Sequence, residues 1–324
     1  MQPLVSIVIP HYNHSQALFP LFDSILSQSL KALEVVIVDD CSETSPEAIV
    51  KIYRHKGLEI RLIHSATRLY TKNARLVGIR EARAPVIAIA DADDVLWGTD
   101  VLERHVSRLQ SERADVLHFR SILTDTEKNF AQNFGWADPR KSRLEGKDIF
   151  AQYALSGLRG FSLWNKLYSK TLWMRFWDTA WNCSISRYTE DIYLNSLCMF
   201  HASIYIGSEY VGYGWQPSDK RKQDSFLRSL HAYLMLKDLI PYFLQHDGDP
   251  KIIDIFGRHM RAYFRRCAGR MCLALSKVPQ ENCLELMADG MQNEADILTQ
   301  IKMLILATGL NAMQIEDAEI SQMR

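Results

Sequence analysis

Three acids directly follow an apolar run at Ile87-Ala88-Ile89-Ala90-Asp91-Ala92-Asp93-Asp94. Ligands of open sheets bind outside the carboxyl ends of strands, so this is where a site is expected. Crowded carboxylates raise one another's pKa, and a divalent cation relieves the repulsion. Oxygen donors of this kind suit Mg²⁺ or Mn²⁺ shared with a substrate's phosphates. Read alone, the same residues also fit a solvated turn that caps the next helix. A second pair, Asp39-Asp40, follows the apolar run Val35-Val36-Ile37-Val38 and is followed by Cys41-Ser42. Its carboxylates can accept hydrogen bonds from a base or a ribose, or can serve a turn and a helix cap. A third, Glu190-Asp191, opens a periodic apolar segment through Ile192, Leu194, Leu197, Met199 and Phe200. Acids at a helix N-terminus are stabilised by its dipole, so capping alone would account for this pair.

These acids need rigid elements to hold them. Short β-branched runs alternate with amphipathic segments through the first part of the chain, the pattern of a mostly parallel sheet covered by helices. Strands are predicted at Val5–Ile9, Glu34–Val38, Ile60–His64, Val86–Ala90 and Asp115–Phe119. A helix face recurs at Ala17, Leu18, Leu21, Phe22, Ile25 and Leu26, with Pro20 limiting how early it becomes regular. Ser45-Pro46 and Gly57 bracket a second helix. Others are expected from about Thr71 to Ala82, from Thr99 or Asp100 onward, and from Asp148 to Leu155. The stretch Asp125 to Lys147 is polar and irregular. Beyond Gln216-Pro217-Ser218-Asp219 the pattern becomes purely helical, over roughly Phe226 to Gln245, Lys251 to Leu275 and Glu281 to Leu306.

The 324 residues are 47% hydrophobic and 23% charged, enough for one large core or two ordinary ones. Thirty-eight basic residues balance thirty-eight acidic ones, which removes the electrostatic ground for nucleic-acid binding. Six cysteines without a C-x-x-C pair point to reduced thiols rather than a zinc or redox centre. No apolar stretch approaches the roughly 20 residues that span a bilayer. A soluble, cytoplasmic protein is expected on these grounds. Arg258, Arg261 and Arg265, with Arg266 and Arg270 beside them, interleave with Phe256, Tyr263 and Phe264. That face suits either solvent or peripheral contact with the inner face of an anionic membrane.

Six motifs occur in the order seen in family 2 glycosyltransferases: Val5 to Asn13, Val38 to Ser42, Ala74-Arg75, Asp91 to Asp94, Leu163 to Tyr168, and Thr189-Glu190-Asp191. The chain from about Val5 to Ser218 resembles an inverting, metal-dependent member of that family. The resemblance implies an α/β GT-A fold, a Rossmann-like, mostly parallel sheet flanked by helices. Residues 1–218 would be the transferase domain, with a donor half to about 120 and an acceptor half from 121, and residues 219–324 a helical C-terminal subdomain. It further implies that Pro10 and Asp40 line a base pocket and that Arg75 helps hold the donor. Asp91 would face ribose and metal, Asp93 (or its neighbour Asp94) would ligate Mn²⁺ or Mg²⁺, and Asp191 would be the general base. Trp164 and Lys166 would lie near the acceptor, stacking on a sugar and pairing with phosphate or an acid, although Trp164 equally suits a core. The implied partners are a nucleotide-diphosphate sugar, with a uridine derivative the expected donor, and a glycan or lipid-linked acceptor in cell-surface polysaccharide synthesis. Two departures bear on the donor. The family commonly has Gly where this chain has Cys41 and Tyr70, and Asn where it has Leu76. A degenerate member that binds without turnover is the alternative. A nucleotidyltransferase would carry a Gly-rich loop where Pro10-His11-Tyr12-Asn13 stands.

Overall fold

The computed structural model describes residues 2–124, 130–133, 135–183, 189–216 and 225–275. Its strands are β1 (Val5–His11), β2 (Leu33–Asp39), β3 (Ile60–His64), β4 (Val86–Ile89), β5 (Val95–Leu96), β6 (Val116–Thr124), β7 (Phe130–Asn133), β8 (Arg143–Glu145), β9 (Lys166–Ser169) and β10 (Ile204–Trp215). The helices are α1 (Leu18–Leu26), α2 (Glu47–His55), α3 (Tyr70–Glu81), α4 (Val101–Ser111), α5 (Lys147–Leu155), α6 (Lys170–Met174), α7 (Trp177–Asn182), α8 (Glu190–His201), α9 (Ser225–Gln245) and α10 (Pro250–Leu275). All described strands join one sheet in the order β3-β2-β1-β4-β9-β6-β10-β5, with β7 on β6 and β8 on β10.

The first half follows the sequence pattern closely. Strands β3, β2, β1 and β4 are parallel neighbours, and their β-branched residues are buried on both faces because helices cover both. A one-turn 3₁₀ segment, Ser15–Ala17, precedes α1, so Pro20 falls in the first turn of that helix, where an amide hydrogen is not needed. Helix α3 lies so close to β1 that a Cβ on Gly78 would sit 2.4 Å from Val8 Cγ1. A glycine there lets the helix, and Arg75 one turn earlier, approach the sheet.

The second half departs from that pattern. Strand β9 enters antiparallel between β4 and β6, and β10 runs parallel to β6 but antiparallel to β5 and β8. Strand β10 escaped the sequence reading because Gly207, Gly212 and Gly214 interrupt its alternation and register shifts fall between Ser208 and Tyr213. A Cβ at Gly212 would lie 2.8 Å from the Phe119 ring, so close strand packing explains that glycine. The polar stretch after Asp125 holds β7 and β8 among its described residues.

Two hydrophobic layers result. Helices α1, α2 and α4 cover one face, with Phe22, Val50, Tyr53 and Leu102 in one buried cluster with Ile7, Val35 and Leu117 of the sheet. The other face holds α3, α5 and α8, and here Met235, Leu239 and Phe243 of α9 and Ile253, Phe256, Met260 and Phe264 of α10 join the same cluster as Phe150, Tyr153 and Leu197. The expected helix over Glu281 to Leu306 and the linker at 217–219 lie outside the described residues. Among the described residues no helix is long and apolar enough to cross a membrane.

Candidate active site

A cleft of about 550 Å³ opens at the carboxyl ends of β1, β2 and β4. Its walls include Pro10, His11, Asp40, Arg75, Asp91 and Asp93 from the sheet side and Thr189, Glu190 and Asp191 from the start of α8. The volume is that of an ordinary small-molecule site. Acids more than 90 residues apart in sequence therefore face one cavity.

Each wall has a local cause. Strand β1 ends at Pro10 and His11, in register with Val38 and Asp39 of β2. His11 is buried, and its Nδ1 meets Asp39 Oδ1 at 3.0 Å, while His64 Nδ1 meets Asp39 Oδ2 at 3.1 Å. Burial pulls the His11 imidazole below its ordinary pKa and outweighs its Asp39 partner. Burial works against ionised Asp39, yet Ser42, His11 and His64 hold its carboxyl low. The histidine thus braces the strand ends rather than standing as a surface residue.

Asp40 is buried and accepts from the backbone amides of Leu69 and of Tyr70, the latter at 3.0 Å, which caps the start of α3. Burial raises its pKa against those amides and the nearby Arg68 charge. Arg68 lies 3.3 Å from the Tyr12 ring centroid and 3.5 Å from Asp40, so a cation stacked on an aromatic closes this end of the cleft. Cys41 and Tyr70 adopt φ of 61° and 59°. Both positions where the resemblance calls for glycine therefore keep the left-handed backbone that glycine accepts most readily.

Asp91, Asp93 and Asp94 separate by direction. Asp91 and Asp93 line the cleft. Asp94 is 1% exposed and points into the protein, accepting from Tyr213 Oη at 2.9 Å and from the Gln216 amide at 2.9 Å. Burial, then the charges of Asp91 and Asp93, raise its carboxyl well above the usual range. Tyr213 also accepts from the Asp91 amide at 3.1 Å, which fixes the loop's shape. Of the two neighbours, Asp93 therefore faces the cleft and Asp94 does not.

Arg75, 3% exposed, crosses the cleft floor. Its Nη2 donates to Asp91 Oδ1 at 2.7 Å and its Nη1 to Glu190 Oε1 at 3.0 Å. Burial disfavours the guanidinium charge, but Asp91, Glu190 and Asp191 outweigh burial and hold it above its ordinary value. Glu190 is pushed up to about 8 by burial and then by Asp191, against the attraction of Arg75. Asp191 is the more exposed of the two acids, and its Oδ1 accepts from the Ile192 amide at 2.9 Å in the first turn of α8.

Trp164 and Lys166 were expected near the acceptor, and neither lines this cleft. Trp164 stacks on Tyr213, ring centroids 4.7 Å apart, beneath the acid-bearing loop. Lys166 is 1% exposed and donates to the carbonyls of Gly160 and Ser162 and to Asn165 Oδ1. Burial pulls its ammonium down to about 7. Both are structural supports, because their polar and aromatic surfaces are already engaged inside the protein. Conversely, the sequence reading gave no site role to Tyr12, Arg68, Tyr70 or Thr189, which also line the cleft. Arg68 is an isolated cation in a loop and carries no periodic signal.

Among the described residues no three His, Cys, Asp or Glu side chains converge to hold a metal. The cleft instead offers the oxygens of Asp91 and Asp93. That set is too small for a resident zinc and fits a hard cation completed by diphosphate and water. Arg258 and Arg261, from the basic face of α10, pair with Asp254 at 3.2 and 3.5 Å, while the side chains of Arg265, Arg266 and Arg270 lie outside the described residues.

Residues 6–164 match the sequence profile described as "Glycosyl transferase family 2". The chain is 36% identical over 159 residues to the amylovoran biosynthesis glycosyltransferase AmsB of Erwinia amylovora, covering 48% of this chain and 52% of that protein. It is 30% identical over 105 residues to the putative teichuronic acid biosynthesis glycosyltransferase TuaG of Bacillus subtilis, covering 32% and 41%. The chain thus spans about half or less of the length of these relatives. Among solved structures, S. aureus TarS 1-349 in complex with UDP superposes with a TM-score of 0.63 at 20% identity, over 89% of this chain and 78% of that one. The mannosyltransferase PcManGT of Pyrobaculum calidifontis, in complex with GDP-Man and Mn²⁺, gives 0.56 at 15% identity, over 94% and 81%. At such identities the likeness concerns the fold.

Proposed function

Residues 6–164 form a family 2 glycosyltransferase domain, within a chain that has the GT-A fold, and from that premise we propose an inverting transfer of a sugar from a nucleotide-diphosphate sugar to a hydroxyl of a glycan or lipid-linked acceptor. The observation that carries the reading is the meeting of two acid sets in one cleft, Asp40, Asp91 and Asp93 at strand ends and Asp191 at the start of α8. TarS with UDP and PcManGT with GDP-Man and Mn²⁺ support a nucleotide-sugar donor, and AmsB and TuaG support a role in surface polysaccharide synthesis.

In this mechanism Pro10 and Asp40 flank the base, with a uridine nucleotide the favoured donor. Asp93, assisted by Asp91, would hold Mg²⁺ or Mn²⁺, whose chemistry when bound is to offset negative charge on the departing diphosphate. Asp191 accepts the proton of the acceptor hydroxyl as its oxygen bonds to the anomeric carbon from the face opposite the phosphate. The bond from that carbon to the phosphate oxygen breaks with its electron pair on the nucleoside diphosphate. One displacement inverts the configuration. Helices α9 and α10, and the remainder of 219–324, are assigned to acceptor recruitment, peripheral membrane contact at the cytoplasmic face or oligomerisation rather than to donor chemistry.

Replacing Asp191 with Asn keeps shape and removes the proton acceptor. Turnover should then fall by about 10²–10⁴ while diphosphate affinity holds. Near-normal turnover in that variant would remove the mechanism.

A further inference from the structure

Arg75 hydrogen-bonds acids on both walls of the cleft. It sits on α3, whose approach to β1 is set by Gly78, and one turn away Lys72 Nζ donates to the carbonyls of Ala180 at 2.8 Å and Cys183 at 2.6 Å. The helix is therefore tied to the sheet on one side and to the segment leading into α8 on the other. Both terminal nitrogens of Arg75 are committed to protein carboxylates, and its buried Nε has no hydrogen-bond partner among the described residues. A guanidinium held in this way has no terminal nitrogen directed only at a diphosphate. Its planar fork spans two acids at once, which a lysine ammonium cannot reproduce.

We propose that Arg75 is a positioning residue, not a donor-phosphate ligand: bridging Asp91 Oδ1 and Glu190 Oε1, it fixes the first turn of α8, and so Asp191, at its working distance from the strand-end acids. The inference rests on the reading of Asp191 as general base. Glu190 in this scheme is the handle by which the base is held, and its carboxyl need not exchange a proton with substrate. A displacement of about 1 Å at a reacting pair can cost about 10²-fold in rate, so a modest loosening of α8 reaches turnover while leaving the donor pocket intact.

The test compares Arg75→Lys, Glu190→Gln, Glu190→Ala and Asp191→Asn in the full chain. UDP and GDP, each with Mn²⁺, are titrated calorimetrically, and turnover is read as release of the diphosphate that binds from UDP-GlcNAc or GDP-mannose. Arg75→Lys is expected to lower kcat by about 10²-fold with Kd for the diphosphate within about threefold. Glu190→Gln keeps an acceptor oxygen for Arg75 and should retain at least about tenfold more turnover than Glu190→Ala. Combining Arg75→Lys with Glu190→Ala should cost little beyond either change alone, the mark of a shared contact. A rise of tenfold or more in Kd with kcat preserved in Arg75→Lys would make Arg75 a donor ligand and overturn the proposal. If Arg75→Lys does not fold, equal turnover in the Gln and Ala variants of Glu190 overturns it. Full turnover in Asp191→Asn would instead sink the base assignment, which the arginine variants do not report.

Discussion

The parallel and the mixed parts of the sheet place their acids by different means. In the parallel part, the ends of strands do the work: β1, β2 and β4 stop in register, and Pro10, Asp40 and Asp91 emerge together because the backbone ladder puts them there. In the mixed part, around β6, β9 and β10, short segments far apart in sequence are joined by buried polar side chains. Asp115 receives two nitrogens of Arg175 at 3.0 and 3.1 Å and the Ser203 amide at 2.7 Å. His118, Asn165 and Lys166 form a second knot. Regular sheets tolerate sequence change because hydrogen bonds are made by backbone. Polar knots fail when one member is lost, since the orphaned partner stays buried.

That contrast predicts unequal responses, beginning with removal of α9 and α10. Seven apolar side chains of these helices lie in the core beside α5 and α8. At about 1.5–3 kcal/mol each, their burial exceeds the whole stability of an ordinary domain. A chain ending at residue 224 should lose its cooperative thermal transition, and a sharp melt would show that the core around α5 and α8 stands without them.

Lys166 should give the next largest effect. The unfolded chain keeps its proton up to the ordinary lysine pKa of 10.5, and the folded chain releases it at about 7. The unfolded state therefore binds more protons between those values, and stability should rise with pH across that window. Lys166→Met abolishes this slope and leaves the Gly160 and Ser162 carbonyls unpaired, at a cost of about 1–3 kcal/mol each. Denaturant midpoints at pH 6 and 9 check both statements.

In the parallel part of the sheet, Gly78→Ala would bring a methyl against Val8 and push α3 off β1, a loss of about 1–3 kcal/mol by chemical unfolding. The smallest effect is expected at Cys41, where glycine relieves a left-handed backbone. Cys41→Gly should change stability by no more than about 1 kcal/mol, in the favourable direction, and a loss would show that the thiol is needed.

The same contrast explains what the sequence disclosed. Runs such as Val35 to Val38 announce buried strands and the acids after them, so the sheet core and the cleft residues Pro10, Asp40, Asp91, Asp93 and Asp191 were legible. Asp94 was ambiguous, because only the Tyr213 hydroxyl and Gln216 amide distinguish it from Asp93. Trp164 and Lys166 carried chemistry-bearing side chains into a buried knot, which spacing cannot reveal. Strand β10 hid behind its glycines. Arg75 was legible as a site residue, but its partners, 16 and 115 residues away, were not.

The account stands most directly on calorimetric titration of Asp93→Ala and Asp191→Asn with the nucleoside diphosphate that binds the parent chain, UDP or GDP, with and without Mn²⁺. The division of labour predicts that Asp93→Ala loses the Mn²⁺ dependence of binding. It predicts that Asp191→Asn binds as the parent does while its sugar transfer falls by about 10²–10⁴. Unchanged cation dependence in Asp93→Ala, or lost diphosphate binding in Asp191→Asn, would contradict it.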